Sequence, residues 1–196
     1  YWIHAEHLIV DNRKMSKSLG NFYTLKDLLD KNYKPLAIRY LLISTHYRQK
    51  LNFTFQGLEA AQNALQRIHE FMQSLDTIKI EQAAQKTVAD VLKQVKLDFE
   101  KAMDNDLEIS EALGALFEFI RQINKLIKSV GRTDAEKIKK QMLEFDSVLG
   151  FIKPETEKLP KEAKQLVEKR EEARRKKDWK TADILRDELK QLGYEV

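Results

Sequence analysis

Apolar residues that recur at alternating intervals of three and four run from Phe55 to Ile152, and no other feature of the sequence limits its fold so tightly. That spacing places one continuous apolar stripe along an α-helix and gives no coherent face to a strand. Four such stripes follow one another. Leu58, Ala61, Leu65, Ile68, Met72 and Leu75 make the first, and Val88, Leu92, Val95, Phe99 and Ala102 the second. Ile109, Leu113, Leu116, Ile120, Ile123, Ile127 and Val130 make the third; Ile138, Met142, Phe145, Leu149 and Ile152 make the fourth. Gly131 is the expected stop of the third helix, and Gly150 with Pro154 that of the fourth. Amphipathic helices of similar length close around a shared core, so residues 51–153 are expected to form an antiparallel helical bundle. Its stripes are packing surface, with no cofactor box among them.

The flanks read differently. Leu8-Ile9-Val10 is a short apolar run that ends at Asp11-Asn12, the pattern of a strand entering a turn, and a polar loop carries Lys14-Met15-Ser16-Lys17-Ser18-Leu19-Gly20-Asn21. Thr24 stands three residues before Asp27, an approximate capping pair for a short helix with Leu25, Leu28 and Leu29 on its apolar side. Pro35 opens a helix that runs to Ser44. Beyond the bundle, Lys153-Pro154 to Leu159-Pro160 has the look of a linker, and residues 161–177 form a densely charged helix. Asp178 caps a last helix whose stripe of Trp179, Ala182 and Leu185 puts Trp179 in a packing role, with Leu189 further along and Gly193 ending it before Tyr194-Glu195-Val196, a strand cut short. The chain is thus expected to be mainly α, in three parts: residues 1–50, the bundle over 51–153, and a small truncated α/β unit over 154–196.

Composition narrows the setting. Hydrophobic residues at 42%, charged residues at 34%, six Gly and three Pro fit a soluble, helix-rich globular protein. The absence of Cys excludes a disulfide framework and a thiolate metal site within the chain. No apolar run reaches the length of a membrane span, and the start lacks the order of a signal peptide, so a cytoplasmic place and no membrane partner are expected. A net charge of +4, from 35 Lys and Arg against 31 Asp and Glu, permits nucleic-acid binding without demanding it. Tyr1-Trp2-Ile3-His4 is no initiator sequence and opens inside an aromatic-rich element, which reads as a fragment of a longer protein.

Chemistry concentrates in the polar loop. Lys14 and Lys17 are mobile point charges, Ser16 and Ser18 add hydroxyl donors, Met15 is suited to anchoring the loop on an apolar surface, and Gly20 allows a tight exit. Such a set stabilises negative charge that develops on a departing phosphate group. Two lysines alone more often mark a solvated surface. The whole octapeptide is more specific: Lys14-Met15-Ser16-Lys17-Ser18 is similar to the second signature of class I aminoacyl-tRNA synthetases, and its continuation through Leu19-Gly20-Asn21-Phe22 resembles their cysteine, methionine and related members.

Further segments resemble the cysteinyl-tRNA synthetase family. They are Tyr1-Trp2-Ile3-His4; Ile38-Arg39-Tyr40-Leu41-Leu42, Ser44-Thr45-His46-Tyr47-Arg48 and Leu51-Asn52-Phe53; the bundle; and Lys177-Asp178-Trp179 with Ala182-Asp183, Arg186-Asp187, Leu189 and Gly193. The resemblance implies the end of a class I catalytic domain, a helical tRNA-binding bundle and an anticodon-binding unit. It implies ATP as substrate with Mg2+, L-cysteine and the cysteine tRNA as partners, catalytic roles for Lys14 and Lys17, and ATP contacts from Lys14, Met15, Ser16, Lys17 and Ser18. A monomer is expected. The family's His-Ile-Gly-His signature and its zinc ligands are missing, and the resemblance places them upstream of Tyr1, so Zn2+ belongs to the intact enzyme and the isolated piece is expected to be inactive. Where the family has an Asn-Thr-Pro-like cap after Asp106, this chain has Glu108-Ile109-Ser110, with Ser110 as the substitute cap.

The other candidates are weaker. His4 and His7 have a metal-like spacing but no supporting ligand set, and packing or a pocket wall is the better reading; no metal site is expected in the chain. His46, Tyr47 and Arg48 suit helix-end packing at least as well as a nucleotide or tRNA contact, and His69 suits the bundle surface. The basic run after Lys169 is interleaved with acids and reads mainly as helix-surface pairs. Its functional reading takes Arg170, Arg174, Lys177, Trp179 and Arg186 to tRNA, with Trp179 stacking on a base. Two rivals stand beside this account: a cysteine:amino-sugar ligase that shares the loop but not the tail, and a non-catalytic helical RNA-binding module.

Overall fold

A computed structural model describes residues 2–153, 161–175 and 178–191. The chain divides into two compact units, Tyr1–Pro154 and Glu155–Val196. The first begins with a small sheet in the order β2-β1-β3, in which β1 (Ile9–Val10) pairs antiparallel with β2 (Arg13–Lys14) and parallel with β3 (Asn52–Phe53). Between β2 and β3 lie α1 (Leu25–Asp30) and α2 (Pro35–Ile43). Thr24 and Asp27 cap α1 reciprocally, each side chain bonding the other's backbone N–H, and Pro35 opens α2 as its spacing predicts.

The bundle consists of α3 (Phe55–Asp76), α4 (Lys86–Asp104), α5 (Ile109–Leu126) and α6 (Arg132–Leu149). Its stripes meet as expected: Leu58, Ile68, Leu116, Ile123, Ile138 and Met142 are wholly buried in one core. Burial of each such side chain stabilises by about 1.5–3 kcal/mol against exposure. Aromatic rings fix the layers, Phe99 stacking on Phe145 at 4.3 Å and Phe71 meeting Phe119 edge-on at 6.4 Å.

Helix ends depart from the sequence expectation in two places. α5 stops at Leu126 and tightens into a 3-10 turn over Ile127–Ser129, while Gly131 stands at the head of α6 rather than at the end of α5. The cause is a crossing chain: a Cβ on Gly131 would lie 2.9 Å from Gln82 Cβ and 3.0 Å from its backbone nitrogen. Ser110 does not cap α5; its hydroxyl donates to the Ser44 carbonyl at 3.2 Å, and Glu108 occupies the cap position without a side-chain bond. Gly150 ends α6 in the left-handed conformation at φ 69°. Asp146 then accepts from the backbone N–H groups of Phe151 and Ile152 at 2.8 and 2.6 Å.

The second unit, taken by itself, pairs α7 (Lys161–Arg175) with α8 (Trp179–Gln191) through buried Ala173, Ala182 and Leu189. The linker over 154–160, Lys177, Gly193 and the expected strand over 194–196 lie outside the described residues. No described helix is long and apolar enough to cross a membrane.

Candidate functional site

The loop with the two lysines is presented by a hairpin. Val10 pairs with Arg13, leaving a connection of Asp11 and Asn12 at φ 47° and 60°, the two-residue turn whose twist matches the flanking strands. Asn and Asp tolerate this region better than other non-glycine residues. The turn is also tied sideways: the Asn12 N–H donates to Asn52 Oδ1 at 2.8 Å, and Asn52 Nδ2 returns a bond to Asn12 Oδ1 at 3.0 Å. Lys14 therefore leaves the sheet from a fixed strand end.

Beyond it the chain turns through a short 3-10 segment over Lys17–Leu19. Ser16 caps that segment, its hydroxyl accepting from the Leu19 N–H at 3.3 Å and lying 3.2 Å from the Ser18 hydroxyl. Gly20 closes it at φ 65°, a conformation that a side chain would strain even though nothing crowds the position. Asn21 pins the mouth of the loop, since its Oδ1 accepts from the Ser16 N–H at 2.9 Å and its Nδ2 donates to the Lys14 carbonyl at 3.2 Å. Met15 packs against the core. It lines a 220 Å³ apolar recess with Val10, Tyr23 and Phe53. Lys14 and Lys17 are exposed, and the Lys17 ammonium lies 5.6 Å from the centroid of the Phe22 ring.

The exit of the loop is held by aromatic packing. Tyr23 meets Phe55 edge-on at 5.1 Å, and Phe53 meets Phe55 edge-on at 5.7 Å. The result is a loop tied at both stems, with Lys14 at its entrance and Lys17, Ser16 and Ser18 in and beside its turn. Such a loop is suited to holding a polyphosphate whose charge changes during reaction.

A second polar cluster joins α2's exit to the α4–α5 turn. Asp106 accepts from the Tyr47 hydroxyl at 2.6 Å and from Arg48 Nε at 2.9 Å, and Arg48 Nε also lies 2.8 Å from the Tyr47 oxygen. The Tyr47 hydroxyl, followed by the neighbouring Arg48 guanidinium and His46, holds the Asp106 carboxyl below its ordinary pKa. His46 is 5% exposed, with Nε2 2.7 Å from the Asp106 carbonyl. A carbonyl only accepts, so that nitrogen carries the proton. These three residues thus fasten the exit of α2 to the α4–α5 turn. His69, expected on the surface, is half-buried with Nε2 3.1 Å from the Phe151 carbonyl. His4 and His7 are exposed and lie in no helix, and the described residues contain no group of three or more His, Cys, Asp or Glu able to hold a metal.

The tail candidates fall into different settings. Asp178 caps α8 as expected, accepting from the Thr181 N–H at 3.1 Å and its hydroxyl at 2.7 Å, bonds that lower its pKa. Trp179 reverses the packing expectation: it is 60% exposed, because the buried side of α8 begins at Ala182. Arg174 is exposed and Arg170 half-buried; Arg186 pairs with Asp183 at 3.0 Å and Asp187 at 3.2 Å. Lys177 lies outside the described residues. Asn21, Asn52 and Asp106 are site residues that the sequence reading does not single out; Asn21 carries a signal as part of the extended loop motif and Asn52 as part of the family-like Leu51-Asn52-Phe53 segment, whereas Asp106 carries none.

Comparison with known proteins gives three matches in chain order. Residues 1–63 match the catalytic domain of class I (C) tRNA synthetases, residues 98–153 a DALR domain, and residues 156–196 a cysteinyl-tRNA ligase anticodon binding domain. A cysteine–tRNA ligase of Protochlamydia amoebophila is 44% identical over 201 residues, covering 98% of this chain and 41% of that protein. Another, of Chlamydia felis, is 45% identical and covers 99% of this chain and 42% of that protein. The chain thus spans about two fifths of the length of these curated relatives. The solved ternary complex of Agrobacterium radiobacter LeuRS with tRNA and LeuAMS shares the fold over 76% of this chain and 21% of that chain, with a TM-score of 0.61 at 19% identity.

Proposed function

The chain belongs to the cysteine–tRNA ligase family, and from that premise we propose that it supplies the ATP-handling loop and tRNA-facing helices of an enzyme that joins cysteine to its tRNA. In the first step the cysteine carboxylate attacks the α-phosphate of ATP, forming cysteinyl-adenylate and expelling pyrophosphate. In the second, a ribose hydroxyl of the tRNA takes the cysteinyl group and AMP leaves. The observation that carries this reading is the loop's build: Lys14 is exposed at the entrance and Lys17 in the turn of a loop whose mouth is pinned by Asn21 and whose inner side is anchored by Met15. Their ammonium groups act where pyrophosphate gathers charge, stabilising the transition state more than bound ATP. Ser16 and Ser18 offer hydroxyl donors to the same phosphates.

Mg2+ accompanies ATP as its counter-charge in this reading. Zinc does not fit this chain's described residues: the sequence has no Cys, and the described His, Asp and Glu form no ligand group. No step here passes through it. The bundle braces the tRNA, and the tail meets the anticodon through Arg170, Arg174, Lys177, Arg186 and the exposed ring of Trp179. The match of residues 156–196 to an anticodon binding domain favours tRNA over an amino sugar as the acceptor. We read the enzyme as a cytoplasmic monomer.

The test is cysteine-dependent exchange between pyrophosphate and ATP, measured on the protein encoded by the reading frame that encloses this chain. Lys17→Ala and Lys14→Ala are each expected to lower the exchange rate roughly 100- to 1000-fold. Undiminished exchange in both variants would remove the loop from the chemistry.

A further inference from the structure

Between the lysine loop and the bundle runs an unbroken series of directional bonds. The Asp106 carboxylate grips the Tyr47 hydroxyl at 2.6 Å and the Arg48 guanidinium at 2.9 Å, and its carbonyl meets His46 Nε2 at 2.7 Å. The gripped segment passes its position to β1 through the backbone. The Tyr47 carbonyl accepts from the Glu6 N–H at 2.8 Å, the Leu51 carbonyl from Ile9 at 2.9 Å, and the Phe53 carbonyl from Asp11 at 3.1 Å. β1 continues into the hairpin that delivers Lys14, and the Asn12–Asn52 amide pair locks that turn to the same segment.

The bundle end of this series is held in an unusual shape. Asp106 and Leu107, neither of them glycine, stand at φ 54° and 60° in the α4–α5 turn. Adjacent left-handed residues persist only where their surroundings hold them. The Asp106 side chain is 46% exposed, so its ion pair contributes little to folding stability. Its consequence is geometric: it joins the stretch matched to the catalytic domain, residues 1–63, to the stretch matched to the DALR domain, residues 98–153.

We propose that the Tyr47–Arg48–Asp106 clasp is a positioning device for the lysine loop, setting the hairpin against the helical bundle so that Lys17 meets the departing pyrophosphate. This rests on the reading that Lys17 acts in the exchange step. Misplacement of a reacting group by about 1 Å costs up to about 100-fold in rate. In the enzyme encoded by the enclosing reading frame, Asp106→Ala is therefore expected to lower kcat for pyrophosphate exchange about tenfold, with KM for cysteine unchanged. Asp106→Asn retains an acceptor for Tyr47 and is expected to recover part of the loss.

The deciding measurement combines variants. If the clasp works through Lys17, the double variant Lys17→Ala with Asp106→Ala exchanges within about twofold of Lys17→Ala alone. A further tenfold loss in the double variant, or an undiminished rate in Asp106→Ala, would overturn the clasp while leaving the loop's role intact. If Lys17→Ala itself costs nothing, the reading of the loop fails and the clasp falls with it. Tyr47→Phe, which deletes one hydroxyl, serves the same comparison should Asp106→Ala not fold.

Discussion

Asn21 ties the exit of the loop to its entrance, because its one amide satisfies two backbone groups of the entering stem, Ser16 N–H and Lys14 carbonyl. The charges of Lys14 and Lys17 are legible in the sequence as a motif. The pinned mouth that presents them is not, because the residue type of Asn21 does not announce its two backbone partners. The same holds at Asp106, whose partners Tyr47 and Arg48 lie 59 and 58 residues away. Folding lowers the Asp106 pKa, chiefly through the Tyr47 hydroxyl, so the clasp's contribution is fully present above the ordinary value of 3.8 and fades as pH falls through the lower folded value. A carbon-13 NMR titration of the Asp106 carboxyl is expected to give a midpoint below 3.8, moved back toward it by Tyr47→Phe. A midpoint at or above 3.8 in the parent protein would mean that the bond is not made in solution.

At the scale of elements, the apolar period located all four bundle helices, since a stripe of Leu58, Ala61 and Leu65 has one way to be buried. Local chemistry was also readable where donor and acceptor are close in sequence, as in the Thr24–Asp27 box and the Asp178 cap. Helix ends that depend on distant chain were not readable. Gly131 has the composition of a stop signal, yet it begins α6 because Gln82 passes against it, and the Arg132 N–H donates to the Ile80 carbonyl at 2.9 Å. Similarly, Gln85 at the head of α4 lacks its own side-chain cap, and its backbone N–H is satisfied by the buried Asp134 of α6 at 2.9 Å. Gly131→Ala is expected to destabilise the bundle by about 1–3 kcal/mol, since the added methyl meets backbone rather than a movable side-chain tip. Urea unfolding measures this directly. An unchanged midpoint would show that the Gln82 strand of chain moves aside freely.

For the molecule as a whole, each unit has its own buried centre, Ile68, Leu116 and Ile138 in the first and Leu189 in the second. The first unit carries loop, clasp and bundle in one contact-linked body, and this places Lys14 and Lys17, the cations proposed to meet pyrophosphate, on the same framework as the helices proposed to brace tRNA. Fold class and family were legible because the loop motif and the helical period are local patterns. The side on which Trp179 faces was not, because a stripe assigned by spacing leaves its first residue undetermined until the partner helix is in place. The central claim is that this loop serves cysteine activation. Its most direct test is exchange of pyrophosphate into ATP by the protein of the enclosing reading frame, run with a panel of amino acids. Exchange that depends on cysteine, and falls away in Lys17→Ala, is the predicted result; exchange driven by another amino acid, or by none, would contradict it.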